Sequence, residues 1–409
     1  MKQTCRHCGS KLTQQFLDLG YAPPSNAYLT ADALTAPEVT FPLRIMVCDS
    51  CFLVQTQDYT QAESLFDQDY AYFSSTSKSW LAHAAEYTSA VIERLGLNEN
   101  SFVVETASND GYLLRNFVER GIPCLGIEPT ASTAEAAEAI GVPVLQKFFG
   151  EELAEELAGA GKSADLIIGN NVYAHVPDIN DFTRGLARLL KTNGVVTLEF
   201  PHVMRLVEFC QFDTVYHEHF SYLSLGTVSR IFAAAGLRVF DVEELPTHGG
   251  SLRVYGCHAA DDREESSAVA DLLAEEKRRG MDTLAFYSAF QERAEQVKIG
   301  FLDFLLEAKK NGKKVAGYGA AAKGNTLLNF AGVKPDLLPF VCDAALAKQG
   351  KFLPGSHIPI LPPSALKDER PDYLIILPWN IADEIKEQFA SLNREGTRFV
   401  TAIPEIQIR

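Results

Sequence analysis

Short apolar runs alternate with stretches of helical periodicity through the middle of the chain. From about residue 78 to Gly96 the apolar residues recur at helical spacing and predict a helix: Trp80, Leu81, Ala84, Tyr87, Ala90 and Val91. Residues 102–105 and the segments "LGIEP", "ADLIIGNN" and "VVTLEF" predict buried strands. A leucine-rich helix is expected between the last two strands, with Gly194 as its C-cap. This alternation predicts a doubly wound parallel sheet.

The same pattern returns in the last quarter of the chain, after a long helical segment. Residues 261–312 are rich in charge and carry one apolar stripe at helical spacing, formed by Val297, Phe301, Phe304, Leu305 and Ala308. The segments "KVAGYG", "LLPFVCD", "YLIILPWN" and "RFVTAI" then predict the strands of a second Rossmann-like domain. The expected fold class is α/β, with a small N-terminal domain at 1–72, a central Rossmann-like domain at 73–258, and a second one, joined by long helices, at 259–409.

Composition narrows the class of protein. The 409 residues are 46% hydrophobic and 22% charged, which is ordinary for a globular chain. The 37 basic and 53 acidic residues give a net charge of −16, which argues against nucleic acid as the main partner. No apolar run is long enough to span a bilayer, and the N-terminus lacks a signal-peptide core. We therefore expect a cytoplasmic protein with no membrane partner.

Four of the eight cysteines form two C-x-x-C pairs, Cys5 with Cys8 and Cys48 with Cys51. Each pair can present two thiolates to one tetrahedral ion, which predicts a zinc site. The segment between the pairs has few core residues, so a closed metal site would supply free energy of folding. A redox C-x-x-C and four unrelated thiols are the alternatives, and His7 is an alternative ligand. Four cysteines leave no open coordination position, so the zinc is expected to be structural.

A loop of small and polar residues follows the first predicted strand of the central domain. In "VVETASNDGYLL" the strand ends at Glu105, and residues 107–111 lead into a helix whose N-terminus favours an anionic group. The next strand ends at Glu128, about twenty residues on, where a carboxylate can accept hydrogen bonds from both ribose hydroxyls. The loop is similar to S-adenosylmethionine loops of the D/E-x-G-x-x-x-G type, with Ala107 at the first glycine position. The alternative is that Glu128 only caps the following helix.

The predicted C-terminal domain contains a comparable loop, "GYGAAAKGNT", with Lys323 at the start of the next helix. Helix N–H groups and one cation suit the pyrophosphate of a nucleotide. A nicotinamide site and simple close packing of helix on sheet are the alternatives.

The segment "FDTVYHEHFSYLS" places Tyr216, His217, Glu218 and His219 in consecutive positions. The zincin pattern needs two histidines four apart on a helix, so it does not fit. In an extended chain His217 and His219 share a face, whereas in a helix Tyr216 and His219 align. Either arrangement puts an imidazole beside a carboxylate or a phenol, as a tuned general base requires. The alternative is a solvated polar turn.

Other polar candidates lie close to predicted elements. Ser224 has the position of an N-cap for the helix after this segment. His175, in "NNVYAHVPD", is expected near the C-terminal end of a strand, where open α/β sheets bind ligands. In "THGGSLRVY", His248 and Arg253 are candidates for contact with an oxygen-rich ligand.

Several motifs occur in one order over essentially the whole chain: the two C-x-x-C pairs, "ETASNDG", "NNVYAHVPD", "FDTVYHEHFSYLS", "HGGSLRV", "GYGAAAKGNT", "PGSHIPI" and "LPWN". In these motifs the sequence resembles the nucleotide-sugar C-methyltransferases, which add a branching methyl group to C-3 of a 4-keto-deoxysugar. The resemblance implies a zinc-binding N-terminal domain, a central S-adenosylmethionine-dependent methyltransferase domain and a C-terminal Rossmann-like domain that helps to hold the nucleotide sugar. The cofactors it implies are S-adenosylmethionine and a structural Zn²⁺, and the partner is a nucleotide-linked 4-keto-deoxysugar.

The resemblance implies roles for the loop at 105–111, for Glu128, for Tyr216, Glu218 and His219, and for His175 and Tyr72, and the other candidates are predicted from the loops and motifs described above. The residues expected to bind S-adenosylmethionine are Glu105, Ala107, Ser108, Asn109, Gly111, Glu128 and Asn170, with adenine stacking on Phe148 or Phe149. The residues expected in catalysis are Tyr216, Glu218 and His219, with His175 and Tyr72 at the same cleft. The residues expected to bind the nucleotide sugar are His248, Arg253, Tyr318, Lys323, Asn325, Asp343, Trp379 and Asn380.

In the implied reaction His219 removes the C-3 proton, Glu218 orients the imidazole or tunes its charge, and Tyr216 donates a hydrogen bond toward the developing oxyanion. The enolate then attacks the sulfonium methyl group. His175 is the reserve base, and His217 is expected to take no part. A nicotinamide-dependent oxidoreductase or epimerase and a non-catalytic nucleotide-sugar-binding protein are the alternative functions. O- or N-methylation is also compatible with the sequence, because the loop at residues 107–111 is expected to bind the methyl donor and does not indicate which atom accepts the methyl group.

Overall fold

The computed structural model describes residues 4–57 and 73–409. Its N-terminal part is an antiparallel sheet built on β1 (Gln14–Ala22), β2 (Phe41–Val47) and β3 (Val54–Thr56). A fourth strand, β9 (Ser221–Tyr222), follows His219 almost directly and pairs antiparallel with β3. The N-terminal sheet is therefore completed by residues from the middle of the chain, which the sequence pattern did not predict.

A seven-stranded sheet forms the central part. Its strands are β4 (Val103–Thr106), β5 (Cys124–Ile127), β6 (Val144–Leu145), β7 (Ala164–Asn170), β8 (Leu190–Pro201), β10 (Leu237–Leu245) and β11 (Ser251–His258). Its helices are α1 (Lys78–Leu95), α2 (Arg115–Val118), α3 (Ala131–Ala139), α4 (Glu151–Gly159), α5 (Ile179–Leu189), α6 (Val203–Glu208) and α7 (Leu225–Ala234). The strand order is β10-β11-β8-β7-β4-β5-β6. It reverses between β4 and β7, and open α/β sheets bind ligands beyond the strand ends at such a point.

The elements predicted here are confirmed, with two corrections. α1 has Ser77 as its N-cap and stops at Gly96, whose φ is 64°. Gly194 is not a C-cap, because it lies inside β8, where a Cβ would come within 2.9 Å of the Ala164 carbonyl oxygen. The sheet is not wholly parallel, because β11 runs antiparallel to both β8 and β10. Ser224 is the N-cap of α7, as predicted.

Three helices lead from this sheet to the C-terminal domain: α8 (Ser267–Arg278), α9 (Ala285–Ser288) and α10 (Phe290–Lys310). The predicted apolar stripe of α10 is buried or partly buried against the core. Across the described ranges, no helix is long and apolar enough to cross a bilayer.

The C-terminal domain is a second Rossmann-like sheet, as predicted. Its strands are β12 (Val315–Tyr318), β13 (Val341–Cys342), β14 (Ile360–Leu361), β15 (Tyr373–Ile376), β16 (Arg398–Thr401) and β17 (Gln407–Ile408). Its helices are α11 (Ala322–Ala331), α12 (Ala365–Glu369), α13 (Ala382–Gln388) and α14 (Ala390–Arg394). The order is β14-β13-β12-β15-β16-β17, and only β17 is antiparallel. The strand order reverses between β12 and β15.

Residues 23–29, which we call the bridging loop, extend from the N-terminal sheet to the other two parts. Asn325 of α11 donates a hydrogen bond to the carbonyl oxygen of Ser25 at 2.6 Å. The side chain of Asn26 donates one to the carboxylate of Glu218 at 3.1 Å. The three parts of the chain therefore meet at this loop.

Candidate active site

The two cysteine pairs converge on one point. The Sγ atoms of Cys5, Cys8, Cys48 and Cys51 all lie within 4.8 Å of one another. The contacts between the pairs measure 3.5 Å each, from Cys5 to Cys51 and from Cys8 to Cys48. A tetrahedral zinc ion with Zn–S bonds of about 2.3 Å spaces its sulfurs about 3.8 Å apart, so the cluster fits this metal. The alternative ligand His7 points elsewhere, with Nδ1 2.8 Å from Asn180 Oδ1. The four cysteines form a structural zinc site.

The first cysteine pair is joined to the segments that carry the two predicted catalytic histidines, His175 and His219. The guanidinium of Arg6 donates hydrogen bonds to the carbonyl oxygens of Pro177, at 2.6 Å, and of Thr56, at 3.0 Å. Pro177 follows His175 closely, and the hydroxyl of Thr56 donates to the carbonyl oxygen of His219 at 2.5 Å. The zinc site is thus joined by hydrogen bonds to both histidine-bearing segments.

The loop after β4 has a backbone that residues other than glycine rarely adopt. Ala107, Asn109 and Gly111 have φ angles of 53°, 50° and 75°. Glu128 accepts the backbone N–H of Asn109 at 3.0 Å and that of Thr130 at 2.9 Å. This carboxylate therefore fixes the loop before any ligand binds, and its role toward a ribose stays a prediction.

Several buried polar atoms beside this loop have no hydrogen-bond partner among the residues that the structure describes. They are Glu105 Oε2, Ser108 Oγ and both amide atoms of Asn170. Burial, followed by the neighbouring Asp110 and Glu128, raises the pKa of Glu105 well above its usual range. Because buried polar groups are normally paired, these atoms fit a polar ligand that carries positive charge. S-adenosylmethionine, with its sulfonium and ammonium groups, is such a ligand.

The two candidate residues for adenine stacking differ in packing. The ring of Phe149 lies edge-on against Phe182, with centroids 5.1 Å apart. Phe148 is 53% exposed. Phe148 therefore offers the more accessible ring, and its contact with adenine stays a prediction.

His219 is held in one tautomer. Its Nδ1 lies 2.9 Å from the carbonyl oxygen of Thr214, which can only accept, so Nδ1 carries the proton and Nε2 the lone pair. The ring centroid lies 4.0 Å from that of Tyr216 and 4.6 Å from that of His175. Burial, and then the nearby His175, lowers the pKa of His219 well below its usual range. Burial also lowers the pKa of His175 to about 4. Both imidazoles are therefore neutral near pH 7.

Glu218 does not supply the hydrogen bond that orients the His219 ring, because Thr214 supplies it. The Oε1 atom of Glu218 accepts from Asn26 instead, and Oε2 is buried with no partner within the described ranges. Burial raises the pKa of Glu218 to about 7.

The alternative of a solvated polar turn is wrong for this segment. His217, Glu218 and His219 are only 4%, 1% and 8% exposed. A turn with a 3.0 Å hydrogen bond from the His219 N–H to the Tyr216 carbonyl oxygen brings their two rings together. The ring of His217 instead lies edge-on to Phe41, with centroids 6.0 Å apart. Tyr72, the remaining predicted catalytic residue, lies outside the described residues.

Arg253 belongs to a buried ion-pair network. Its guanidinium lies 2.7 Å from a carboxylate oxygen of Glu199 and 3.1 Å from one of Glu243. His83 of α1 also contacts Glu199, with Nε2 2.9 Å from the carboxylate. These partners occupy both terminal nitrogens of the guanidinium, so the predicted contact between Arg253 and the sugar has no support from this geometry.

His248 lies where the central sheet meets the C-terminal domain. Its backbone φ is 54°, and its ring centroid lies 5.3 Å from that of Trp80. The next residue, Gly249, has a φ of 87°, and a Cβ there would come within 2.5 Å of the Trp379 ring. This turn therefore needs glycine in order to bring His248 close to the predicted nucleotide-binding residues.

Lys323, Trp379 and Asn380 come together at the point where the C-terminal strand order reverses. Lys323 Nζ lies 2.7 Å from Asn380 Oδ1 and 4.7 Å from the Trp379 ring centroid. The indole N–H of Trp379 donates to the carboxylate of Asp213 at 2.7 Å. Burial raises the pKa of Asp213 to about 6, and burial lowers the pKa of Lys323. The predicted phosphate-binding lysine thus lies next to the segment that precedes Tyr216.

Three other predicted nucleotide-binding residues have partners within the protein. Asn325 binds the bridging loop, as described above. Asp343 accepts the backbone N–H of Ala320 at 2.7 Å, much as Glu128 accepts that of Asn109. The ring of Tyr318 packs against Phe389 at 4.8 Å within the C-terminal core. Their contacts with a nucleotide sugar stay predictions.

Several residues of the site were missed at the sequence level. Glu199 gave a usable signal, because a carboxylate within the apolar run "VVTLEF" must find a partner when buried. Asp213 lies within a quoted motif but was not singled out. Asn26 and Thr214 gave no signal, since they belong to unremarkable polar stretches and act only through long-range or backbone contacts.

Three family models match consecutive parts of the chain. A zinc binding domain matches residues 5–66, a methyltransferase domain matches residues 80–242, and the C-methyltransferase C-terminal domain matches residues 246–404. The three matches together follow the order of zinc site, donor loop and second Rossmann-like sheet.

One relative matches over the full length, and solved structures match over less than half of the chain. The C-methyltransferase NovU of Streptomyces niveus is 36% identical over 404 residues, which cover 99% of this chain and 96% of that protein. Among solved structures, magnesium protoporphyrin IX methyltransferase from Synechocystis with bound S-adenosylhomocysteine is similar at 14% identity and a TM-score of 0.35, over 44% of this chain and 84% of that one. An S-adenosylmethionine-dependent methyltransferase from Anabaena variabilis has the same identity and score, over 42% and 83%.

The assignment rests on the full-length relative and the three family models, and it replaces the nicotinamide-dependent and non-catalytic alternatives. The protein belongs to the C-methyltransferase family and is an S-adenosylmethionine-dependent C-methyltransferase.

Proposed function

We propose that this enzyme transfers a methyl group from S-adenosylmethionine to C-3 of a nucleotide-linked 4-keto-deoxyhexose, in the biosynthesis of branched deoxysugars. The observation that carries the proposal is the tautomer of His219, whose Nδ1 is bonded to the Thr214 carbonyl so that Nε2 is a proton acceptor. Carbon next to a ketone becomes nucleophilic once a base removes its proton, and a buried neutral imidazole with a defined lone pair is such a base.

In the proposed reaction, His219 Nε2 takes the C-3 proton, and the electron pair of the C–H bond forms an enolate. The bound S-adenosylmethionine supplies an electrophilic methyl group, and C-3 bonds to that carbon as the S–CH₃ bond breaks, which leaves S-adenosylhomocysteine. The burial that lowers the pKa of His219 makes an isolated imidazolium unfavourable. The enolate formed beside it balances that charge, so proton removal is coupled to substrate binding.

Two groups near His219 suit stabilisation of the enolate oxygen. The ring of Tyr216 lies 4.0 Å from the His219 ring, centroid to centroid. Glu218, whose pKa burial raises to about 7, is largely protonated below that pH and can donate a hydrogen bond. His175 is the reserve base, and its ring centroid lies 4.6 Å from that of His219.

The C-terminal sheet supports the choice of a nucleotide-linked acceptor. Lys323 stands at the N-terminus of α11, where helix N–H groups and an ammonium group favour a pyrophosphate. Its Nζ lies 4.7 Å from the centroid of the Trp379 ring, and the indole N–H of Trp379 donates to Asp213, in the segment that leads to His219. A nucleotide sugar bound there would direct its hexose toward His219.

The test is a panel of dTDP-, GDP- and CDP-linked 4-keto-deoxysugars, assayed with S-adenosylmethionine for S-adenosylhomocysteine and for the methylated product. We expect turnover with at least one of them and exchange of the C-3 proton with deuterated solvent. His219→Ala should lower both rates by a factor on the order of 10²–10⁴.

His258→Ala is the matched control, because this histidine of β11 contacts the Leu190 carbonyl oxygen and no predicted site residue. It should retain both rates. If His219→Ala exchanged the C-3 proton and turned over at wild-type rates, His219 would not be the base. A product methylated on oxygen or nitrogen would overturn the proposed acceptor atom.

A further inference from the structure

The bridging loop is attached on its far side to the C-terminal domain. Besides the hydrogen bond from Asn325 to the Ser25 carbonyl, the hydroxyl of Tyr28 donates to the Ala320 carbonyl oxygen at 2.6 Å. Leu29 also exchanges backbone hydrogen bonds with Phe352, at 3.0 and 2.8 Å. These attachments hold the loop residue Asn26 at a fixed place against the central domain.

Asn26 contacts the buried carboxyl group of the Tyr216–His219 segment. Its Nδ2 donates to Oε1 of Glu218, a side chain that is 1% exposed, whereas Oε2 has no hydrogen-bond partner in the part of the chain that the structure describes. The titratable groups packed nearby are His219, Tyr222 on β9, and His175, whose ring bonds the Glu218 backbone. None of these supplies a donor to the second oxygen.

We propose that Asn26 is a positioning residue of the methyl-transfer site, which holds Glu218 by one oxygen so that the other oxygen is available to the acceptor. An amide N–H bound to Oε1 fixes the rotation of the carboxyl plane and leaves the proton of the neutral acid on Oε2. The N-terminal domain, beyond binding zinc, thereby supplies a residue of the site. This inference rests on the proposed role of Glu218 in the reaction.

The same contact affects ionisation. Burial has the largest effect and raises the pKa of Glu218, whereas hydrogen bonds from its own backbone and from the Asn26 side chain both favour the charged form. Removing the donor should therefore raise the pKa of Glu218, and replacing it with a second carboxylate should raise that pKa further. A residue that only stabilised the fold would not move it.

The test is an infrared titration of the ligand-free protein. The carbonyl stretch of the neutral Glu218 carboxyl is identified by its loss in Glu218→Gln. In Asn26→Ala we expect its titration midpoint to move up by about one pH unit, the size expected for loss of a hydrogen bond to a charged group. In the near-isosteric Asn26→Asp it should move further up. Turnover of the keto-sugar nucleotide should fall about tenfold in Asn26→Ala, with KM little changed.

Tyr28→Phe is the control, because it removes another hydrogen bond of the same loop without touching Glu218. Its titration midpoint should match that of the parent. An unchanged midpoint in both Asn26 variants would overturn the inference. The titration needs no sugar, so it remains decisive even if no keto-sugar nucleotide proves to be a substrate.

Discussion

At the scale of single residues, burial moves two neighbouring groups toward the same uncharged state. It raises the pKa of Glu218 to about 7 and lowers that of His219 well below its usual range. Desolvation disfavours the charged form of either type of group. Below about pH 7 these two groups are therefore largely uncharged in the ligand-free site.

This burial predicts a pH dependence of stability. The carboxyl of Glu218 titrates at about 7 in the folded protein against 4.5 for the unperturbed group. Below pH 4.5 both states are protonated, and between the two values only the unfolded state loses its proton, so stability falls as pH rises through this window. Relative to Glu218→Gln, the parent should lose about 3 kcal/mol of unfolding free energy across it.

Urea unfolding of both proteins at several pH values measures this difference. Glu93→Gln, an exposed substitution on α1, is the control and should run parallel to the parent. A difference between the parent and Glu218→Gln that stays constant from pH 5 to pH 8 would contradict the burial argument.

At the same scale, the sequence predicted residue types better than their partners. His219 was chosen because an imidazole stands beside a phenol and a carboxylate, and the structure does bring the rings of His219 and Tyr216 together. The carboxylate was expected to orient the imidazole, but a backbone carbonyl at Thr214 does so. Every residue has a carbonyl group, so no side-chain pattern could mark that one. The contact of Asn26 could not be predicted from the local sequence either, because its partner, Glu218, lies far away along the chain.

At the scale of elements, the sequence predicted those whose signals are local. α1 is bounded by Ser77 and Gly96, whose capping preferences depend only on neighbouring residues. Gly194 was wrongly predicted as a C-cap because a glycine after a helical pattern is typical of one. Its actual constraint is the close approach of Ala164 on another strand, which the local sequence does not indicate. β9 contains only two residues, and its pairing with β3 depends entirely on the tertiary structure.

The hydrogen bonds of Arg6 lead to a prediction about the elements that they join. Arg6→Ala removes the donors to Pro177 and Thr56, and so loosens the segments carrying His175 and His219. We expect turnover to fall on the order of tenfold or more, with zinc content retained, because residues that support a site from outside typically act at this level. Product formation and elemental analysis measure the two quantities.

Arg230→Ala is the matched control. Arg230 donates to the Cys51 carbonyl oxygen at 2.7 Å and therefore supports the other cysteine pair without contacting the histidine segments. Equal losses of turnover in the two variants would show that Arg6 acts only through general stability of the zinc domain.

At the scale of the whole molecule, the zinc site and the proposed base share one sheet. β9 begins two residues after His219, and β3 begins three residues after Cys51, the last cysteine ligand. These two strands pair with each other. Removing zinc with a chelator should release this pairing, because closed metal sites of this kind contribute directly to folding.

We expect faster hydrogen exchange in peptides covering β3 and β9 after zinc removal, together with loss of turnover, and recovery of both when zinc is restored. Peptides from β12 and β15 in the C-terminal sheet serve as the internal reference and should exchange as before. Unchanged hydrogen exchange at β9 in the metal-free protein would show that zinc does not stabilise the segment that follows His219.

The shared sheet and the bridging loop also constrain how such enzymes can diversify. A first domain grafted from a relative would have to bring a strand edge that accepts the host's β9, a loop that reaches the host's α11, and a donor at the position of Asn26. Changes in acceptor preference are therefore expected to arise by substitutions spread over all three parts of the chain. Recombination between residues 66 and 80, where the zinc binding domain match ends and the methyltransferase domain match begins, should mostly yield inactive hybrids.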